Sequence, residues 1–231
     1  ALAVTAAAHD GATAVSLVPT ALRCIDPALF RVVVLGGARP PADRPANCIA
    51  TYGLTETGSG VVYDGRPLAD VDVRIEDDGE ILLRCPMLLR CYRDGTTPLD
   101  RDGWLHTGDL GHWLPDGRLH VEGRRGDLII TGGENVWPEA VEAVLGSHPG
   151  VAEVAIAGVD DAEWGQRVVA WVVPNDPAAP PDLAHLRETV ADHLPAFCAP
   201  KELHLVSTLP RTALGKVQRH VLRASREQIG R

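Results

Sequence analysis

The sequence predicts an α/β protein in which part of a parallel sheet and a small β subdomain precede a compact α+β domain. Residues 31–35, RVVVL, are β-branched and apolar and end at Gly36 and Gly37, which is typical of a buried strand before a tight loop. Short strand patterns with frequent turns run from about residue 61 to 121. Helical and strand patterns then alternate from residue 126 to 231, so we expect a separate small domain there.

The elements of this second domain follow from hydrophobic periodicity. WPEAVEAVLGSH (137–148) predicts an amphipathic helix with Pro138 in its first turn. The later segments predict two strands, a helix, a third strand and a final helix, in that order: residues 151–159, 166–174, 181–194, 201–207 and 216–229.

Composition excludes several classes of function. The chain has 231 residues, of which 45% are hydrophobic and 23% charged, so it can bury a core. A net charge of -9 argues against a nucleic-acid surface. Its apolar runs are too short to span a membrane. The five cysteines form no CxxC pair, which indicates reduced thiols and a cytoplasmic protein.

The stretch TYGLTETGSG (51–60) predicts a phosphate-binding loop. It contains three glycines and three threonines around one carboxylate, Glu56. Hydroxyls and backbone N–H groups can hold phosphate oxygens, and a carboxylate can hold the accompanying Mg²⁺. Taken alone, the stretch is equally compatible with an ordinary turn that carries a solvated Glu.

Five short motifs occur in a fixed order along the chain: GGA (36–38), YGLTE (52–56), GWLHTGD (103–109), GRRGDLIITGGENVWPEAVE (123–142) and PRTALGKVQR (210–219). This series resembles the adenylate-forming superfamily of acyl-CoA synthetases, adenylation domains and luciferases. VSLVPT, VVYDG and EWGQRVVAWVV resemble in particular the AMP-forming o-succinylbenzoate–CoA ligases of menaquinone synthesis. The resemblance implies that residues 1–125 are the C-terminal part of the large nucleotide- and acyl-binding domain. Residues 126–231 would then be a mobile C-terminal domain with its hinge at Gly126.

The resemblance implies a role for each matching residue in the first domain. Gly36, Gly37 and Ala38 match the loop against adenine, and Tyr52, followed by Gly53, matches the aromatic residue at the base. Thr55 matches a hydroxyl to the phosphate, Glu56 the Mg²⁺ carboxylate, and Asp109 the acid that takes both ribose hydroxyls.

Further matching residues lie near and beyond the predicted domain boundary. Arg124 matches a basic partner to ribose and phosphate, and Lys216 matches the adenylation lysine. Gly132 and Gly133 match the loop that lines the thiol tunnel. The implied cofactors are ATP or AMP, Mg²⁺ and CoA, and the implied substrate is a small carboxylic acid.

Each of these residues also has a purely structural interpretation. Asp109 could be a turn acid, Lys216 a solvated lysine, and Arg124 with Arg125 a solvated basic pair. The tryptophans at 104, 137, 164 and 171 are interpreted as packing residues.

Two alternative functions stay open at this point. The Ser/Thr/Gly-rich phosphate loop with its lysine, which relatives carry upstream, is not found in these 231 residues. A missing N-terminal half or a homodimer could complete the protein, or the chain could be an inactive nucleotide- or partner-binding module. An adenylation domain that loads a carrier protein is the other alternative, since it uses the same thiol tunnel.

Overall fold

The computed structural model describes residues 2–37, 40–41, 43–212 and 215–229. The chain divides after Glu122 into two compact units. The predicted boundary after residue 125 and the hinge at Gly126 stay predictions. No helix in the described part of the chain is long and apolar enough to cross a membrane.

The first unit begins with a five-stranded sheet of order β1-β2-β3-β4-β5. The buried strand predicted at 31–35 is confirmed as β2, and β1, β2 and β3 are parallel, whereas β4 and β5 add antiparallel strands. Apolar residues of β2 pack under the N-terminal helix α1. The bounds are α1 Leu2–His9, β1 Ala14–Leu17, α2 Pro19–Leu22, β2 Val32–Leu35, β3 Cys48–Gly53, β4 Gly60–Tyr63 and β5 Arg66–Pro67.

A four-stranded sheet follows in the region of the predicted β subdomain, whereas the segment 60–67 at its predicted start pairs with the first sheet as β4 and β5. Its strand order is β6-β7-β8-β9. Val61 and Val62 of the first sheet form one core cluster with Ile81 and Leu83 of the second, so the two sheets hold their loops in fixed positions. The bounds are β6 Asp72–Ile75, β7 Glu80–Arg84, β8 Leu105–Trp113 and β9 Leu119–Arg124.

The second unit combines one sheet with helices on both sides, in agreement with the predicted α+β class. Its sheet has the order β11-β10-β13-β12, and β14 pairs in parallel with β13. Alternate residues of β12 and β13 face opposite sides of the sheet, one side packing against α3 and α4 and the other against α5. The bounds are β10 Ile129–Thr131, β11 Glu134–Val136, α3 Pro138–Leu145, β12 Val151–Asp161, β13 Gly165–Pro174, α4 Leu183–Ala191, β14 Glu202–Leu205 and α5 Arg219–Ile229.

The predicted strands and helices of the second unit are confirmed, with shifted ends. The last helix was expected from residue 216 but begins at Arg219. The reason is a β-bridge that pairs Val217 with Arg211, so Val217 is not yet helical. The hairpin of β10 and β11 was not among the predicted elements.

Candidate active site

The stretch 51–60 carries the end of β3 and a tight loop before β4. A Cβ atom on Gly53 would lie 2.2 Å from the carbonyl oxygen of Ser59, so only glycine allows this close approach. A 3₁₀ turn follows at Thr55–Thr57 and ends at Gly58, whose φ is 71°. The flexible composition therefore builds a defined loop.

Thr57 holds this loop together from within. It is 2% exposed, and its Oγ1 accepts a hydrogen bond from Leu54 N at 2.9 Å and lies 2.6 Å from the Ser59 carbonyl oxygen. The neighbouring Thr55 is exposed. The loop thus buries one hydroxyl for its own structure and leaves another facing solvent.

Two predicted nucleotide residues from distant parts of the first unit meet at this loop. The Tyr52 hydroxyl donates a hydrogen bond to Asp109 Oδ2 at 2.9 Å. Asp109 is 6% exposed. A carboxylate offers several lone pairs, so it can accept this bond and still accept others. This contact joins positions that are 57 residues apart in sequence.

A bulge in β8 orients the side chain of Asp109. Pairing between β7 and β8 passes from Leu82–His106 to Glu80–Leu110, so residues 107–109 lie opposite Ile81 alone. Gly108 has a φ of 69°, which glycine adopts without strain. Bulges redirect side chains at functional sites, and this one presents Asp109 to Tyr52.

Glu56 lies on the 3₁₀ turn and is held by a second tyrosine. The Tyr92 hydroxyl donates to Glu56 Oε1 at 2.9 Å, and the Glu56 carbonyl oxygen accepts from Leu89 N at 2.7 Å. The hydrogen bond to the Glu56 carboxylate raises the pKa of Tyr92 above its ordinary value. Tyr92 was not predicted, because its partner is known only from the fold.

The predicted adenine loop lies beside the same strands. Gly36 follows β2, and a Cβ on it would lie 3.1 Å from Thr51 Cγ2. Gly37 has a φ of 83°. Ala38, the third residue of this prediction, lies outside the described residues. The Thr51 Oγ1 atom is buried and has no hydrogen-bond partner among the residues that the structure describes.

Among the described residues, no group of three or more His, Cys, Asp or Glu side chains could hold a metal ion. Glu56 can therefore contribute a single carboxylate ligand to a bound Mg²⁺ ion. Mg²⁺ in proteins is usually bound by one or two carboxylates together with substrate phosphates and water. The donor set fits an ion that arrives with a nucleotide.

In the second unit, Lys216 lies exposed on the turn closed by Arg211 and Val217. Thr212 N donates to the Lys216 carbonyl oxygen at 2.8 Å. Arg211 ties the turn to the sheet, with Nη1 donating to Gly215 O at 2.7 Å and Nη2 to a carboxylate of β12. The ammonium group thus stands on a braced turn.

Three residues further on, Arg219 is surrounded by acids. Its side chain is 15% exposed, with Nη2 2.9 Å from Glu142 Oε2 and 3.1 Å from Glu139 Oε1, and Nη1 3.3 Å from Asp127 Oδ2. Nε donates to Ile156 O at 3.1 Å. Burial raises the pKa of the Glu142 carboxyl, and Arg219 opposes that rise. This cluster anchors the start of α5.

The predicted thiol loop is the turn between β10 and β11. Gly132 and Gly133 have φ values of 60° and 85°, as a two-residue hairpin turn requires. Gly132 N donates to Trp164 O at 2.8 Å, and a Cβ on Gly132 would lie 2.8 Å from the Trp164 ring. Trp164 is 42% exposed, and Lys201 Nζ lies 3.4 Å above its ring centroid.

The remaining predicted residues lie where β9 ends. Arg124 is the last residue of β9 and is exposed. Gly126 lies within a 3₁₀ turn, Arg125–Asp127, and a Cβ on it would meet no atom within 4 Å.

The structure thus brings Tyr52 to Asp109 and places Glu56 on the loop between β3 and β4. Lys216, Gly132 and Gly133 all belong to the second unit. The assigned roles of all these residues stay predictions. Sequence reasoning missed Thr57 and Tyr92, and it assigned no role to Arg219.

Known proteins give an independent comparison. Residues 140–216 match the model of the AMP-binding enzyme C-terminal domain. The chain is 42% identical over 203 residues to a probable 2-succinylbenzoate–CoA ligase of Mycobacterium tuberculosis, covering 82% of this chain and 52% of the relative. It is 37% identical over 217 residues to the 2-succinylbenzoate–CoA ligase of Listeria innocua, covering 84% and 45%. The chain spans about half the length of these relatives.

Solved structures agree with this comparison. The o-succinylbenzoate CoA synthetase of Bacillus subtilis, in complex with the acyl-adenylate intermediate OSB-AMP, matches with a TM-score of 0.85 and 30% identity, covering 96% of this chain and 53% of that one. The amide bond synthetase McbA of Marinactinospora thermotolerans matches with a TM-score of 0.81 and 33% identity, covering 97% and 54%. The sheets described above therefore correspond to the C-terminal part of these enzymes. Over nearly its whole length the chain is therefore similar to the C-terminal part of AMP-binding, adenylate-forming enzymes.

Proposed function

We propose that the chain forms the nucleotide-binding and lysine-bearing part of an AMP-forming acid–thiol ligase. In the first half-reaction a substrate carboxylate attacks the α-phosphorus of ATP, and the bond to pyrophosphate breaks. In the second, a thiol attacks the acyl carbon of the acyl-adenylate and AMP leaves. The Tyr52–Asp109 contact carries the proposal, because it joins the predicted base and ribose groups at 2.9 Å.

The residues of the first unit hold the nucleotide in this proposal. Asp109 accepts hydrogen bonds from both ribose hydroxyls, and Tyr52 lies at the base beside Gly36 and Gly37. Thr55 reaches the phosphate from its exposed position. Glu56 would hold Mg²⁺, which screens the charge of the pyrophosphate leaving group when bound.

The second unit supplies Lys216 and the thiol loop. A carboxylate and a phosphate repel each other, so a compact positive charge between them lowers the barrier. Rotation about Gly126 after adenylation would withdraw Lys216 and bring Gly132 and Gly133 toward the acyl-adenylate. Arg124 is proposed as a partner of ribose and phosphate.

We propose 2-succinylbenzoate as the acid and CoA as the thiol, since the relatives at 42% and 37% identity are named for that reaction. A phosphate loop and most of the acyl pocket, which the resemblance places before this stretch, would complete the site. The five free cysteines support a cytoplasmic location.

The test is a coupled assay of both half-reactions in the ligase that contains this chain. Pyrophosphate release with ATP and 2-succinylbenzoate, followed by mass-spectrometric detection of the CoA thioester, is the expected result. Release of pyrophosphate with transfer only to a carrier protein would identify the alternative acceptor. Absence of release with 2-succinylbenzoate and other aryl acids would contradict the proposal.

A further inference from the structure

The bulge that presents Asp109 breaks the ladder between β7 and β8. Three residues of β8, Thr107, Gly108 and Asp109, stand opposite Ile81 of β7. Backbone groups in such a bulge lose their regular cross-strand partners, and a buried N–H or C=O without a partner is costly. The bulge can persist only if side chains replace the missing ladder bonds.

Two side chains do so. Thr107 Oγ1 donates to the Ile81 carbonyl oxygen at 2.6 Å and lies 3.1 Å from Asp109 N. Glu80 Oε1 accepts a hydrogen bond from Gly108 N at 3.0 Å. The Glu80 side chain is 16% exposed, so this charged bond is partly shielded from water.

The second carboxylate oxygen of Glu80 faces a histidine. His106 Nδ1 lies 3.4 Å from Glu80 Oε2, and His106 Nε2 lies 3.7 Å from Asp100 Oδ2. Glu80 thus contacts Gly108 N through Oε1 and His106 through Oε2.

We propose that Glu80 is a positioning residue for Asp109. Its carboxylate replaces the ladder partner of Gly108 N and thereby holds the backbone turn that places Asp109 beside the Tyr52 hydroxyl. The inference rests on the proposed function, since it concerns the acid assigned to the ribose. Glu80 acts through the backbone and is not itself assigned to the nucleotide.

Three substitutions distinguish the contribution of the Glu80 side-chain length from that of its charge. Glu80→Gln keeps an oxygen at the same distance, Glu80→Asp keeps the charge but is one methylene too short, and Glu80→Ala removes both. The matched control is Asp72→Ala, because Asp72 is an exposed acid of β6 in the same sheet, paired with Arg84.

The measurement is the dissociation constant of AMP, with the thermal midpoint recorded for each variant. Loss of this part-buried hydrogen bond should weaken AMP binding about tenfold in Glu80→Ala and Glu80→Asp. Glu80→Gln and Asp72→Ala should bind like the parent. If Glu80→Ala does not fold, the comparison of Glu80→Asp with Glu80→Gln decides.

Hydrogen exchange at the Gly108 amide gives a second readout, which should accelerate in Glu80→Ala and Glu80→Asp but not in Glu80→Gln. Parent-like AMP affinity in Glu80→Asp, or equal weakening in Glu80→Gln, would overturn the inference while leaving the proposed function intact. A parent protein that binds no AMP would instead contradict the proposed function.

Discussion

Lys216 and Arg219 lie three residues apart in the second unit and have opposite surroundings. Lys216 is exposed on its turn, whereas the Arg219 side chain is 15% exposed and contacts Glu142, Glu139 and Asp127. A group that must reach a substrate has to stay free of strong internal partners. A group that anchors the start of α5 needs such partners, and Arg219 has them.

The two acids of the first unit repeat this difference. Asp109 is 6% exposed and is aimed by a bulge, while Glu56 lies on a partly exposed 3₁₀ turn and contacts Tyr92. The buried acid suits a neutral ribose, which needs an oriented acceptor. The more open acid suits an ion that keeps part of its water.

The largest expected effect is a difference in unfolding free energy between the Arg219 and Lys216 variants. Arg219→Ala leaves the part-buried carboxylates of Glu142, Glu139 and Asp127 uncompensated. It should cost about 3 kcal/mol of unfolding free energy, the lower end of the range for a fully buried pair. Lys216→Ala should change it by no more than about 0.5 kcal/mol, as is usual for exposed residues. Urea unfolding of both variants makes the comparison. Similar losses of unfolding free energy in the two variants would contradict the structural difference described between Lys216 and Arg219.

In catalytic assays, by contrast, we expect the larger loss in the Lys216→Ala variant. In the active ligase, Lys216→Ala should slow adenylation by about 10²- to 10³-fold, as expected when a positioned charge is removed from the transition state. Thioester formation from supplied acyl-adenylate should be largely retained, because the proposed rotation would withdraw Lys216 before that step. Pyrophosphate release and CoA consumption, measured separately, check this. Equal loss of both half-reactions would exclude the assigned role.

The smallest effect concerns Glu56 and Tyr92. Since the Glu56 carboxylate raises the pKa of Tyr92, Glu56→Ala should lower that pKa toward its ordinary value. Ultraviolet titration of the phenol measures it, and a Tyr92→Phe variant identifies the transition among the three tyrosines. An unchanged transition in Glu56→Ala would show that the 2.9 Å contact is not formed in solution.

Much of the fold could be predicted because its signals are local. The apolar run at 31–35 and the helix period in WPEAVEAVLGSH need no tertiary partner to be recognised. The candidate site residues were predicted from the resemblance alone, since its motifs place particular residue types at fixed spacing. Ala38 among them lies outside the described residues.

What could not be predicted depends on contacts between distant segments. Arg219 and Glu142 are 77 residues apart, and Tyr92 and Glu56 are 36 apart. The bulge at Thr107–Asp109 is set by pairing with β7, which no periodicity in β8 reveals. The last helix was predicted to begin at residue 216 but begins at Arg219. The cause is again a contact between separate residues, the bridge between Arg211 and Val217.

The most direct test of the account is a calorimetric titration of AMP into the protein and its Asp109→Asn variant. The account predicts saturable binding to the parent. It also predicts about tenfold weaker binding to the variant, because an amide has one acceptor oxygen where the carboxylate has two. No binding to the parent at about millimolar AMP, a concentration typical of very weak complexes, would contradict the central claim. Equal affinity of the two proteins would contradict the ribose assignment of Asp109.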